Sequence, residues 1–341
     1  MRVLIPTIGS RGDVQPFIAL AQGLERAGHT VMLLSHPAMR PLVEAHAVNF
    51  APMGPDLDMA QEAAAIRQRS RNTIPALLQI MNLAFDILAQ AHDDILAAGR
   101  DADLVAVPAS SAAGKNEAEL LDLPSLSVDF MPWTIAADDP NRSIFKRAAY
   151  ATINKLVTPM TTRPLNKLRR QQGLPPVGPE GFRSAQLNLA PISPLVYAPD
   201  PYWSPINHVV GYWFVEEPRG WRPPADLSAF LDAGSPPLVI SLGAMSAGDA
   251  LETSTLFVQC IESTGIRAII QGWDATINQL KLPATIYAAG SLPTAGYDRE
   301  QAAWSITAAL ARRRPASGPA SPSWPSPTWS TSFTGASASK S

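Results

Sequence analysis

The chain opens on an unbroken apolar run, Val3-Leu4-Ile5, with no polar residue interleaved. Such a run predicts a short strand buried on both faces. From Phe17 to Ala27 the apolar residues recur at helical spacing, which predicts an amphipathic helix. The alternation continues with a strand at Thr30–Leu34, a helix near Ala38–Ala45 and a short strand at Asn49-Phe50. Glu62–Asn72 reads as a mobile loop. Ile74 to Ala98 predicts one long helix, with Leu77, Ile80, Met81, Ala84, Ile87 and Leu88 on its apolar stripe. A strand at Asp103–Val107, a helix at Ala112–Leu121 and a strand at Ser125–Val128 follow. Strands alternating with helices predict a parallel sheet covered on both faces, whose ligands sit outside the carboxyl ends of the strands.

The second half repeats the pattern after an interruption. Residues 143–173 read as helices whose Lys and Arg form solvated faces. Pro175 to Pro237 is proline-rich, which suits a connection between domains. Pro237–Ser241 predicts the first strand of a second α/β unit, followed by a helix at Ala250–Thr264 and strands at Arg267–Gln271 and Thr285–Ala288. After Pro293 the pattern collapses. Residues 294–341 hold no valine, one isoleucine (Ile306) and one leucine (Leu310), among many Ser, Pro and Ala. Such a segment buries too little apolar area to offset the entropy of ordering, so a disordered tail is expected.

Composition narrows the function classes. A length of 341 residues accommodates two domains, and 46% apolar residues supports full cores. A net charge of −2 gives no reason to expect nucleic acid as a partner. The single cysteine, Cys260, excludes an internal disulfide and a cysteine-cluster metal site, and its apolar helical setting predicts a buried thiol. No apolar run reaches the roughly 18 residues that span a bilayer. Met1 leads directly into a core strand, leaving no room for a signal peptide. These features predict a cytoplasmic protein without stable membrane insertion. No protein partner follows from the sequence.

The candidate chemistry lies in Pro6-Thr7-Ile8-Gly9-Ser10-Arg11-Gly12-Asp13-Val14-Gln15-Pro16, between the first strand and the first helix. Gly9 and Gly12 permit a tight turn and close approach of a ligand. The helix that follows points its N-terminal amides at whatever occupies the loop. Asp13 is open to two readings, a helix cap or a general base. The G-x-x-G spacing is not that of dinucleotide folds. The second strand ends in Ser35-His36-Pro37, without the acid that holds a nicotinamide ribose, so a nicotinamide enzyme is set aside. Asp129 follows its strand directly and is a candidate to support Asp13, to contact an acceptor or to serve as a turn residue. Trp133 and its apolar neighbours Phe130 and Met131 are candidates for a greasy pocket or for ordinary core. The five histidines show no ligand spacing and read as structural.

The segment Gly9-Ser10-Arg11-Gly12-Asp13-Val14-Gln15-Pro16 resembles the N-terminal signature of GT-B glycosyltransferases that act on sterols and on glycopeptide and macrolide aglycones. The resemblance continues through Gly211-Tyr212-Trp213-Phe214, Phe230-Leu231-Asp232-Ala233-Gly234 and Pro236–Met245 to Gly290-Ser291-Leu292-Pro293. It implies two Rossmann-like doubly wound domains: an acceptor-binding domain over 1–200, a connection over 201–236 and an incomplete nucleotide-sugar domain over 237–293. The implied reaction is inverting transfer of a hexose from a UDP- or TDP-sugar to a hydroxyl of a lipophilic acceptor. Asp13 is then the base, and Arg11 steadies the diphosphate or holds Asp13. Ser10, Gly12, Gly243 and Ala244 meet the donor, and Asp129 and Trp133 the acceptor. Ala244 stands where the family usually carries serine. The resemblance implies no cofactor beyond the nucleotide sugar as co-substrate, and no metal, since helix N-termini can carry phosphate charge.

The tail has a sharper reading than disorder. Regrouping bases by one position lets Ser305–Arg313 read His-His-Gly-Gly-Ala-Gly-Thr-Thr, and lets the codons after Pro293 read His-Gly-Trp-Leu. Those are donor-binding signatures of the same group, in order, so a frameshift near Pro293–Thr294 is expected. The alternative function is a non-catalytic remnant that keeps only the acceptor-binding domain.

Overall fold

The computed structural model describes residues 1–143 apart from 58, 71, 72, 138 and 142, then 162–215, 222–241, 250–271, 274–290 apart from 278, and 304–307. The chain divides into two compact units, Met1–Arg219 and Gly220–Ser341.

In the first unit, β1 (Arg2–Pro6), α1 (Arg11–Arg26), β2 (Thr30–Ser35), α2 (Arg40–Glu44) and β3 (Phe50–Pro52) build one half of a parallel sheet. Helices α3 (Met59–Arg69), α4 (Thr73–Gln90) and α5 (His92–Gly99) carry the chain across to β4 (Leu104–Pro108). Then come α6 (Lys115–Leu120), β5 (Ser125–Val128), α7 (162–171), β6 (Asn188–Ala190) and β7 (Asn207–Val209). The strand order is β3-β2-β1-β4-β5-β6-β7, all parallel. The order reverses between β1 and β4, which opens a crevice at their carboxyl ends.

The unbroken apolar run of β1 is explained by its two faces. Val3 and Ile5 pack with Val14, Phe17, Ile18 and Ala21 of α1. Leu4 packs on the opposite face with Phe85, Ile87 and Leu88 of α4, Ile95 of α5, and Leu165 and Leu168 of α7. Among these helices lies Arg169, 1% exposed. Its guanidinium donates to both carboxylate oxygens of Glu119 (2.9 and 3.1 Å), to Asn116 Oδ1 (2.9 Å) and to the Pro175 carbonyl (2.6 Å). The network ties α7 to α6.

The second unit holds α8 (Ala225–Asp232), β8 (Leu238–Ser241), α9 (Ala250–Thr264), β9 (Ala268–Gln271), α10 (Asp274–Ile277), β10 (Ile286–Ala289) and β11 (Trp304–Thr307). Its parallel order, β10-β9-β8-β11, again reverses beside the first strand of the unit. Ile240, Ala268 and Ile270 pack against Val258 and Ile261 of α9 on one face. Val239 and Ile269 pack against Leu227 and Leu231 of α8 on the other.

Several sequence expectations change. The long helix bends at Ala91, which is fully buried and divides α4 from α5. Glu62–Asn72 is not a loop as far as Arg69: it belongs to α3, anchored by buried Met59 and Ala63. The helix expected from Ala112 starts at Lys115, because Ala112 (φ 55°) and Gly114 (φ 79°) are left-handed. Cys260 is exposed, since the buried face of α9 runs through Ser254, Val258 and Ile261. Within 294–341 the described residues are Trp304–Thr307, whose strand pairs in parallel with β8, so a disordered tail does not extend to these four. No helix among the described residues is long and apolar enough to cross a membrane.

Replacing Arg169 with alanine is expected to cost about 2–3 kcal/mol in urea unfolding, by leaving the buried Asn116 carbonyl without its donor and removing a packed side chain between α6 and α7. The Arg169 hydrogen bonds hold the Glu119 carboxyl below its ordinary value of 4.5. The folded-state value is therefore the lower one, so this contribution is present above pH 4.5 and fades as pH falls through the lowered value. Unfolding midpoints measured across that acid range should fall in the wild type and respond less in Arg169→Ala.

Candidate active site at the switch point

Gly114 passes close to the end of β1, where an added Cβ would come within 2.3 Å of Pro6 and 3.0 Å of Val105. Only a residue without a side chain lets the chain after β4 pass this close to the end of β1. The Gly9–Asp13 loop follows β1. Gly9 has φ 139°, and a Cβ there would lie 2.4 Å from Asp13 Oδ2. The loop therefore depends on glycine at this position for both conformation and space.

Ser10 is the N-cap of α1. Its backbone N–H donates to Asp13 Oδ2 at 2.8 Å, and its hydroxyl donates to the same oxygen at 2.9 Å. Asp13 is thus the third helical residue reaching back to the cap, one half of a capping box. Both bonds fall on Oδ2, and Oδ1 makes no hydrogen bond among the described residues. The two readings of Asp13 are therefore compatible: one oxygen caps and the other is available to a substrate hydroxyl. Arg11 Nε donates to Gln15 Oε1 at 3.0 Å, along the helix. Gly12 is exposed at the first turn.

His36 follows β2 directly and reaches the same loop. Its Nε2 lies 2.8 Å from the Gly9 carbonyl, which can only accept, so Nε2 carries the proton. His36 is 1% exposed. Its Nδ1, with Thr7 Oγ1 and Ser35 Oγ, is buried without a hydrogen-bond partner among the described residues. The sequence reading passed over His36 for want of metal-ligand spacing. The usable signal was its place, directly after the strand that pairs with β1.

Asp129 is occupied elsewhere. Its Oδ2 accepts from Arg183 Nε at 2.7 Å and its Oδ1 from the Met131 backbone at 2.8 Å, with the side chain 2% exposed. Arg183 also bonds Glu180 (3.0 Å) and the Thr134 hydroxyl. The carboxylate clamps the loop after β5 to the segment before β6, with both of its oxygens bonded. Phe130 packs edge-on against Phe17, with ring centres 5.8 Å apart, and so joins the α1-side core. Trp133 sits in the short turn Pro132–Thr134, and its side chain falls outside the described part. A cavity of about 570 Å³ lies beside the clamp, lined by Ile135, Glu180, Arg183, Tyr202, Trp203 and Asn207 among others; none of Ser10–Asp13 lines it. Gly243 and Ala244 lie outside the described residues.

Gly9→Ala is expected to cost about 1–3 kcal/mol and to displace the Ser10 and Asp13 amide signals while those of β4 and β5 stay in place, read by thermal unfolding and NMR. Arg183→Met, which leaves a buried carboxylate without its cation, is expected to cost about 3 kcal/mol in urea unfolding.

Residues 3–137 match the glycosyltransferase family 28 N-terminal domain. The chain is 32% identical over 267 residues to the O-mycaminosyltylonolide 6-deoxyallosyltransferase of Streptomyces fradiae, covering 71% of this chain and 61% of that protein. It is 28% identical over 317 residues to a sterol 3-beta-glucosyltransferase of Aspergillus terreus, covering 86% of this chain and 22% of that one. The chain thus spans less than two thirds of the length of these relatives. Among solved structures, a Streptomyces sp. SF2575 glycosyltransferase complexed with thymidine diphosphate shares the fold at a TM-score of 0.56 and 20% identity, over 87% of this chain and 73% of that one. A kitacinnamycin glycotransferase does so at a TM-score of 0.62 and 15% identity, over 90% and 75%. The fold is the Rossmann-like α/β architecture of GT-B glycosyltransferases. Residues 3–137, which match the glycosyltransferase family 28 N-terminal domain, carry the whole switch point between β1 and β4.

Proposed function

We propose that the chain is an inverting glycosyltransferase that moves a hexose from a UDP- or TDP-sugar to a hydroxyl of a lipophilic acceptor. The observation that carries this reading is the Asp13 carboxylate at the switch point, pinned through Oδ2 and without a hydrogen bond at Oδ1 among the described residues. In the proposed step Oδ1 takes the proton of the acceptor hydroxyl. The acceptor oxygen attacks the anomeric carbon from the opposite side to the leaving group, and the bond from that carbon to the diphosphate breaks. The first turn of α1 presents its amide dipoles to the negative charge that develops, and Arg11 adds a fixed positive charge one residue into the helix. Pinning Asp13 before substrate arrives limits the reorganisation the reaction requires. The named substrates of the two relatives, a macrolide and sterols, support an acceptor of that greasy class. A single exposed cysteine accords with a cytoplasmic setting.

The donor half is interrupted in this reading. We place the break near Pro293–Thr294, where the composition changes and where the regrouped codons spell donor-binding signatures. Loss of those segments favours the second reading, an acceptor-binding remnant without turnover. Sequencing of DNA across codons 285–335 separates the two: an uninterrupted frame whose codons cannot regroup sinks the interruption.

Titration of the purified 341-residue chain with UDP and TDP, followed by transfer assays with sterol and macrolide acceptors, tests the enzymatic reading. Asp13→Asn is expected to lower transfer roughly 100- to 10,000-fold while leaving nucleotide affinity unchanged. Transfer that survives this substitution at the wild-type rate would remove Asp13 as the base.

A further inference from the structure

The carbonyl of Gly9 and the N–H of Ser10 belong to one peptide group. A trans peptide is planar and rigid, and its C=O and N–H point in opposite directions. In this molecule both ends of that single plane are held. His36 Nε2 donates to the Gly9 oxygen at 2.8 Å, and the Ser10 nitrogen donates to Asp13 Oδ2 at 2.8 Å. We infer that His36 is a positioning residue for Asp13, acting through the Gly9–Ser10 peptide: the imidazole fixes the rotation of the plane, and the plane aims the N–H that holds the carboxylate.

Three further features support the assignment. Gly9 at φ 139° offers no side-chain barrier of its own against rotation of the adjoining peptide, so the plane depends on its hydrogen bonds for orientation. A hydrogen bond accepted by the carbonyl also polarises the N–H of the same amide, which strengthens the bond to Asp13. Finally, His36 is 1% exposed and leaves Nδ1 without a partner among the described residues, as Thr7 Oγ1 and Ser35 Oγ are left beside it in sequence and strand register. An unsatisfied buried nitrogen is a standing cost that an apolar side chain at the same place would avoid. The bond to Gly9 is the one thing in view that only a donor can provide. Ser10 adds its hydroxyl to the same oxygen at 2.9 Å, a second contact made by the side chain and independent of the plane.

The inference rests on Asp13 as the base, and its test is arranged to fail separately from that reading. Hydrogen exchange of the Ser10 amide is measured in the full 341-residue chain for wild type, His36→Phe and His36→Gln. His36→Phe is expected to speed Ser10 exchange roughly tenfold, with Leu4 and Leu33 in the adjacent strands unchanged. His36→Gln, whose amide brings a donor to a similar reach, is expected to restore protection. In transfer assays His36→Phe should lower kcat and leave KM unchanged, with recovery in His36→Gln. Unchanged Ser10 exchange in His36→Phe overturns the inference, as does exchange that rises equally at Ser10, Leu4 and Leu33 in both variants, which marks a packing role alone. Should His36→Phe not fold, the wild type decides: NMR coupling across the Nε2–H to the Gly9 carbonyl supports the clamp, and a ring proton without that coupling overturns it. A clamp intact by exchange beside an Asp13→Asn variant of full activity would retire the base and keep the clamp.

Discussion

Parallel pairing of β1 with strands on both of its sides is the constraint from which the rest of the first unit follows. With β2 on one side and β4 on the other, β1 must be apolar on both faces, and Val3, Leu4 and Ile5 meet that requirement. The crossovers to its two neighbours then leave in opposite directions, which opens a crevice at its carboxyl end. Polar groups placed there are held by a rigid sheet. The Gly9–Asp13 loop occupies that place, and Gly114 passes close beside Pro6.

Polar interactions are distributed unevenly around this frame. Two buried clusters are well partnered: Arg169 is met by Glu119, Asn116 and the Pro175 carbonyl, and Asp129 by Arg183 and Met131. Those at the switch point are incomplete, with Asp13 Oδ1, His36 Nδ1, Thr7 Oγ1 and Ser35 Oγ lacking partners among the described residues. Folding alone favours satisfied groups in buried places. Unsatisfied ones gathered at the end of two central strands mark where packing has yielded to chemistry. Asp129, buried and bonded at both oxygens, ties the loop after β5 to the segment before β6.

The second unit repeats the β10-β9-β8-β11 half of the same plan. Its strand β11 comes from a stretch whose composition is poor in the residues that usually fill a central parallel strand. Backbone pairing with β8 supplies the position of that strand, and parallel register requires only that its N–H and C=O groups face those of its neighbour. Strand placement and side-chain suitability are separate matters here.

The sequence by itself determined the alternation of elements, the parallel sheet and the chemical loop after β1, because period, run length and glycine placement are local properties of the chain. It also determined α9 to the residue, Ala250–Thr264, since a single amphipathic stripe bounds that helix. The tertiary structure alone decided the bend at Ala91, the helix over Met59–Arg69 and the exposure of Cys260, because each depends on which face a neighbouring element covers. It alone gave Asp129 to Arg183, 54 residues away, and His36 to Gly9, 27 residues away. Such pairs leave no trace in local pattern: a buried hydrogen bond between distant residues exists only once the sheet has brought their strand ends together.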